Sequence, residues 1–282
     1  MCGGVVAVPE LPEVETTRRG LLPHLTGATI TAVEVRQPRL RWPIPPDLAA
    51  ILPQQTIHRL TRRAKYLLLH CDSGTLIVHL GMSGSLRILL DEHPPEKHDH
   101  FDLVCGAVRM RLRDPRRFGA VLWHEGEPET HPLLAKLGVE PLESDFDADF
   151  LYQATRRRAT PIKLLIMDQH RVVGVGNIYA SEALYRARIH PQMPAQQLSS
   201  ADCGRLVTEI RQTLTEAIQQ GGSTLRDFVS PQGQSGYFQQ SYWVYGRAGE
   251  ACRTCGATIQ MLRQGQRASF YCAQCQPLNP DV

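Results

Sequence analysis

Residues 252–275 read CRTCGATIQMLRQGQRASFYCAQC, a C-x2-C-x16-C-x2-C pattern formed by Cys252, Cys255, Cys272 and Cys275. Each knuckle can place two thiolates on one ion, and the separation between knuckles suits a zinc ribbon or hairpin. A redox site or two unlinked knuckles are the other readings. With all four positions filled by thiolates, the site is closed and structural. The expected cofactor is one structural Zn2+, with no organic cofactor. The remaining cysteines, Cys2, Cys71, Cys105 and Cys203, are scattered. Arg263 and Arg267 lie between the knuckles, where a short metal-pinned hairpin can push them against phosphates or into a DNA groove.

Upstream of this ribbon the periodicity is helical. Leu206, Ile210, Leu214 and Ile218 recur every four residues, Ser199 with Asp202 can cap the start, and Gly221-Gly222 ends the run. Before it, VGVGNIYASEALYRARIHP is a Gly-rich turn feeding a helix, with Asn177 as the expected N-cap. Residues 139–150 are acidic and strand-poor, and read as a linker. Further upstream the period changes to two: Val108, Met110 and Leu112 alternate with Arg109, Arg111 and Arg113. TITAVEVR, YLLLHC, TLIVHLGMS and GAVLWH also read as strands, so a β-sandwich or barrel is expected. PELPEVETTRRGL, with early proline and glutamates and later arginines, reads as one helix.

Charge is divided unevenly. Residues 1–150 hold 17 Lys and Arg against 20 Asp and Glu, whereas residues 151–282 hold 14 against 8. A basic second half suits an anionic partner or a merely solvated basic face. No apolar run approaches the length of a membrane span, and the first eight residues are too short for a signal peptide. The expectation is a cytoplasmic protein with no membrane role. Only Lys65, Lys97, Lys136 and Lys163 are lysines among 31 basic residues. Lysine can be tuned to move protons in a way arginine cannot, which draws notice to them.

Three fragments gain meaning only together. RDPRRFGA sets Arg113, Arg116, Arg117 and Phe118 around a tight turn, as a duplex wedge or as an ordinary hairpin with a buried ring. HLGMSG ends a strand with Met82 in a Gly/Ser turn, where a core methionine is the plain alternative. VGVGNIY can bring a helix N-terminus to an anion or serve as a structural turn.

In chain order, PELPEVETTRRGL, RRAKYLLL, HLGMSGSLRI, PPEKHDHFDL, DPRRFGA, VVGVGNIYASEAL, WVYGRAGEACRTCG and QRASFYCAQCQ resemble bacterial formamidopyrimidine-DNA glycosylase. The resemblance runs from Pro9 to about Gln276. It implies an α+β, multidomain protein: an N-terminal β-sandwich, a helix-two-turns-helix domain and a C-terminal zinc-finger hairpin, with DNA across the cleft between domains. The expected division is a mis-annotated or removed leader at 1–8, catalytic sandwich 9–138, linker 139–150, helical domain 151–241, hairpin 242–276 and tail 277–282. The implied activity is base-excision repair. Oxidised purines are removed from damaged double-stranded DNA, and the strand is nicked by β,δ-elimination through an N-terminal proline Schiff base, by a monomer.

By resemblance, Pro9 is the nucleophile, Glu10 the acid that assists sugar opening, and Lys65 the proton-transfer lysine. Arg267 matches the hairpin arginine assigned to δ-elimination; its high pKa favours phosphate holding instead. Met82, Arg116 and Phe118 match the triad that fills the gap left by a flipped nucleotide, with Arg116 facing the orphaned cytosine. His98, Arg158, Lys163 and Asn177 match phosphate contacts. Arg226 departs from a lysine common in the family, beside the loop VSPQGQSGYF that bears on base preference.

As written, the Pro9 nitrogen is a tertiary amide bonded to Val8 and cannot attack. Val8 stands where the family's initiator methionine belongs, and GTG encodes valine inside a gene but methionine at its start. The expectation is that translation begins at position 8 and that the methionine is removed to expose Pro9; a processed leader and an inactive relative that only binds damaged DNA are the alternatives. A pyrimidine-lesion enzyme of the same fold is the near alternative, although Leu11 favours the purine branch. A non-catalytic zinc protein that binds DNA, and a sandwich with an unrelated metal ribbon, are the more distant ones.

Overall fold

The structure, a computed structural model, describes residues 9–90, 93–221 and 242–278. The segment 1–8, Arg226 and the stretch VSPQGQSGYF lie outside the described residues. The chain forms two compact units that divide between Lys136 and Leu137.

The first unit opens with α1 (Leu11–Leu25). Pro12 sits in its first turn, and the Glu13 carboxylate accepts the Glu10 N–H at 2.9 Å, so a donor that the helix start leaves over is satisfied. Leu11, Val14, Leu21 and Leu25 form its buried face. After β1 (Ala32–Val35) and the short α2 (Leu48–Ile51) come β2 (Arg59–Arg63), β3 (Tyr66–His70), β4 (Thr75–His79), β5 (Ser85–Leu89), β6 (Asp99–Cys105), β7 (Val108–Arg113) and β8 (Ala120–His124). They form two antiparallel sheets, ordered β1-β6-β7-β5 and β2-β3-β4-β8. Leu67, Leu69, Leu76 and Val78 of one sheet share a core with Leu86, Phe101, Met110 and Leu112 of the other and with α1. This is the expected sandwich architecture. The alternation in β7 is cleaner in sequence than in space. Met110 and Leu112 face the core, but Arg111 on the opposite face is also buried, because Asp102, fully buried, draws in Arg36, Arg109 and Arg111. Burial alone would raise the Asp102 carboxyl; hydrogen bonds from Arg36, Arg111 and Arg109 outweigh it and hold it at about 2.

The second unit contains α3 (Ala148–Thr155), α4 (Ile162–Ile166), α5 (Asn177–Arg186), α6 (Ser200–Gln219) and the hairpin β9 (Gln260–Gln264) and β10 (Arg267–Tyr271). Residues 139–150, expected as a linker, are built into it. Val139 bridges Val172 in parallel, Phe146 is fully buried, and Asp147 caps α3 by accepting the Phe150 N–H at 2.7 Å. At α6 the expected cap is present: Ser199 and Asp202 exchange side chain-to-backbone hydrogen bonds, and Leu206, Ile210 and Leu214 are fully buried. At α5 the cap is Gly176 rather than Asn177, which is the first helical residue and turns its amide elsewhere. Helices and hairpin lie within one compact unit. Buried Gln264 and Gln276 donate to the carbonyls of Pro191 and Ile189 at 3.0 and 2.8 Å, and Tyr185 packs with Val244 and Ile259.

Candidate functional site

In the first unit, pairing of β4 with β8 aligns His79 with Ala120, so the chain leaving β4 meets the chain entering β8. The loops meet backbone to backbone. A Cβ on Gly81 would lie 2.3 Å from the Phe118 carbonyl carbon, and Gly81 has φ +64, so only glycine fits there without strain. Asp114, fully buried, joins the loops chemically: one carboxylate oxygen accepts the Ser83 hydroxyl at 2.7 Å and the other the Gly119 N–H at 2.7 Å. The Ser83 hydroxyl oxygen also accepts the Arg116 N–H at 3.1 Å. Met82, Arg116 and Phe118 thus stand on one clamped platform. Phe118 is 41% exposed, and the Arg116 guanidinium lies 4.8 Å from the centroid of its ring. His98 adjoins this platform, for its carbonyl accepts the Asp114 N–H at 3.0 Å.

Pro9 and Glu10 are buried at the start of α1. Lys65, half-buried, occupies the two-residue turn between β2 and β3, after Ala64 with φ +53. An ion pair between Arg62 and Glu15 at 3.5 Å ties that hairpin to α1. Nearby His79 accepts the Gly81 N–H on Nδ1 at 3.0 Å, which assigns its ring proton to Nε2. Burial first, then the charges of Lys65 and Arg41, push its pKa down to about 4.

In the second unit, Lys163 is only 1% exposed. Its ammonium donates to Asn177 Oδ1 at 2.8 Å, Ser269 Oγ at 2.8 Å and the Ala268 carbonyl at 3.2 Å. Asn177 Nδ2 donates to the same carbonyl at 3.0 Å. The expected direct contact of Lys163 with a phosphate therefore does not fit this placement, because the charge is consumed inside the protein. What the cluster does is fix β10 beside the start of α5. Arg267, exposed at the first position of β10, pairs with Gln264 and lies on the face carrying Ser269. Arg263 pairs with Ala268 and so lies on the other face. Arg158 is exposed in the turn after α3, with its carbonyl accepting the Gln196 N–H at 2.9 Å; no hydrogen bond described joins it to the Lys163 cluster.

The sulfur atoms of Cys252, Cys255, Cys272 and Cys275 lie within 4.8 Å of one another. Cys252 and Cys275 are 3.9 Å apart, and Cys255 and Cys272 are 3.5 Å apart. Tetrahedral Zn–S bonds of about 2.3 Å demand sulfur separations of about 3.8 Å, so the thiolates fit one zinc. Tyr185 of α5 contacts this shell, with its hydroxyl 3.2 Å from Cys252 Sγ and 2.7 Å from Thr254 Oγ1.

Three family models match in order: the formamidopyrimidine-DNA glycosylase N-terminal domain over residues 8–121, its H2TH domain over 137–229, and the zinc finger found in FPG and IleRS over 249–278. The chain belongs to the formamidopyrimidine-DNA glycosylase family. The formamidopyrimidine-DNA glycosylase of Thioalkalivibrio sulfidiphilus is 58% identical over 270 residues, which cover 95% of this chain and 100% of the relative. Among solved structures, the Lactococcus lactis Fpg in complex with DNA containing an abasic site is similar at TM-score 0.88 and 35% identity, covering 95% of this chain and 99% of that one. A Lactococcus lactis FPG mutant with Fapy-dG containing DNA gives the same TM-score and identity, covering 95% and 100%.

For this member of the formamidopyrimidine-DNA glycosylase family, residue reading alone passed over Asp114, Ser83, His79 and Glu182. The first three sit inside quoted motifs, but their task is to hold neighbours, and only the meeting of two distant loops shows it. Glu182 is similar. Buried on α5, its carboxylate accepts the N–H groups of Trp243, Val244 and Tyr245 at 2.8, 3.0 and 2.8 Å. Burial raises its pKa, and those three donors pull against the rise.

Proposed function

We propose that this chain is a bifunctional DNA glycosylase that removes oxidised purines from duplex DNA and nicks the strand at the resulting abasic site. What supports this reading most is family membership along nearly the whole chain together with a proline directly before the N-cap of α1. A free proline amine has a pKa of roughly 8, so part of it is neutral near pH 7. The positive end of α1 favours that neutral form further. The nitrogen attacks C1′ of the damaged nucleotide, the glycosidic bond breaks, and the base leaves with a proton. Glu10 assists opening of the sugar and Lys65 moves protons at the base and sugar. The iminium left on Pro9 draws electrons from C2′ once its proton is removed, so the C3′–O bond breaks and then the C5′–O bond. Met82, Arg116 and Phe118 fill the vacated stack. His98 and Asn177 grip the backbone with Arg158 and Arg267, the last by charge. We infer that the enzyme acts as a cytoplasmic monomer and that damaged duplex DNA is its partner.

Borohydride trapping tests this. Protein beginning at Pro9 should be locked covalently to 8-oxoguanine duplex, whereas protein carrying residues 1–8, verified by intact mass, should bind that duplex and form no adduct. Efficient trapping of the long form would overturn the assignment of Pro9 and make the Lys65 amine the first candidate.

A further inference from the structure

Between β1 and α2 the chain makes a small closed loop. Arg39 bridges Pro43, and buried Ile44 donates its N–H to the Pro38 carbonyl at 2.9 Å. Leu40 packs on the core, so the tip presents Arg39, Arg41 and Trp42. The Arg41 N–H donates to the Gly119 carbonyl at 3.1 Å and fastens the tip to the platform of Arg116 and Phe118. The two neighbouring loops repeat one device. The Arg41 guanidinium lies 4.7 Å from the centroid of the Trp42 ring, as the Arg116 guanidinium lies 4.8 Å from that of Phe118. Arg39 and Arg41 are exposed, and neither makes an ion pair among the described residues.

This charge is close to other positive groups. The charges of Arg41 and Lys65 both act on His79, and Arg41 acts on Tyr66 as well. Like charges this close repel one another in the free protein, and an anion placed over exposed Arg41 relieves that repulsion. The aromatic ring beneath Arg41 restricts where its fork can point.

We propose that Arg41, oriented by Trp42, is a further contact to a phosphodiester of the duplex, beside the strand held at the Arg116–Phe118 platform. This rests on the reading of the chain as an enzyme of duplex DNA. Trp42 is a positioning residue in this scheme, and Arg41 the group that touches DNA.

Anisotropy titrations of lesion and undamaged duplexes across a salt series test it. Arg41→Ala should weaken both duplexes by the same factor, about threefold to tenfold at low salt, and reduce the slope of log K against log salt by about one. Arg41→Lys should keep the slope. If the alanine variant melts early, Arg41→Gln, which keeps the stem, should show the same slope change. Trp42→Ala should lose about twofold to fivefold in affinity with the slope kept, and Trp42→Phe should recover most of that loss. An unchanged slope in a folded Arg41→Ala protein, while the wild type binds and nicks lesion duplex, would overturn the proposal alone. Weakening confined to lesion duplex would also overturn it, since a backbone contact is blind to the base. A wild type that neither binds nor nicks lesion duplex would overturn the glycosylase reading and the proposal with it.

Discussion

In the N-terminal unit, Met82, Arg116 and Phe118 ride on loops that leave the strands of a mainly aliphatic core, with one buried carboxylate, Asp114, joining those loops. In the C-terminal unit, Asn177 and Arg267 are set by four thiolates and by buried polar groups: Lys163, Ser269, Gln264, Gln276 and Glu182. Apolar cores hold by area and volume and accept modest changes in shape. Buried polar groups hold by complete pairing, so loss of one member strands the others. The small hairpin has too little apolar surface to fold by area alone, which is why metal and polar pins take that part.

The largest effect should follow metal removal. Chelation, or Cys252→Ser, removes a binding energy on the order of 10 kcal/mol that is also folding energy. Amide exchange should lose protection through β9 and β10 and keep it in β3 and β4. DNA binding should fall by about a hundredfold or more, since Arg267 loses its mount. Protection of the hairpin surviving full zinc removal would show that Gln264 and Gln276 suffice, and the contrast between units would fail.

Lys163→Met comes next. It leaves Asn177 Oδ1 and Ser269 Oγ short of a donor, which costs about 1–3 kcal/mol in stability, while the Ala268 carbonyl keeps that of Asn177 Nδ2. DNA affinity should drop with the salt slope unchanged, because no phosphate contact is lost. A slope reduced by about one would restore the direct phosphate role expected from sequence.

That lysine marks where sequence reading stops. Strands with strict alternation, the four-residue repeat of α6 and the spaced cysteines were legible because each is a local pattern imposed by one burial direction or one ion. Phe146 in an acidic stretch was not, since its burial depends on contacts distant in sequence. Lys163 and Asn177 were expected as phosphate contacts, Asn177 also as a cap; both side chains also bond to a hairpin strand about a hundred residues away. Arg111 read as the solvent side of a strand, and Asp102 and Asp99 on β6, with the carbonyls of His93 and Pro94, explain why it is covered.

In the N-terminal unit a change at the platform should touch recognition before stability. Arg116 is exposed and its guanidinium rests on Phe118, so Arg116→Ala should leave thermal melting within about 0.5 kcal/mol. Discrimination by the base opposite the lesion should shrink by about 1–3 kcal/mol, as for loss of a forked base contact. If instead affinity fell equally opposite all four bases, Arg116 would be a backbone contact.

The smallest effect tests whether the first unit is as apolar as its core suggests. Asp102 lies on the face of its sheet turned away from that core, ringed by Arg36, Arg109 and Arg111. Its carboxyl is held at about 2 against a usual 3.8. A group with a depressed folded pKa stabilises the fold above its unfolded value, so this contribution is complete above about pH 4 and is lost as pH falls toward 2. The difference amounts to about 2 kcal/mol at most. Other carboxylates titrate in the same range, so the informative quantity is the melting gap between wild type and Asp102→Asn. That gap should be constant from pH 7 to about 5 and narrow as pH falls from about 4 to about 2, because the wild type then loses the charge that the variant never had. A gap that stays constant to pH 2 would mean that the arginines on this face are held by packing and by Glu34, not by the Asp102 charge.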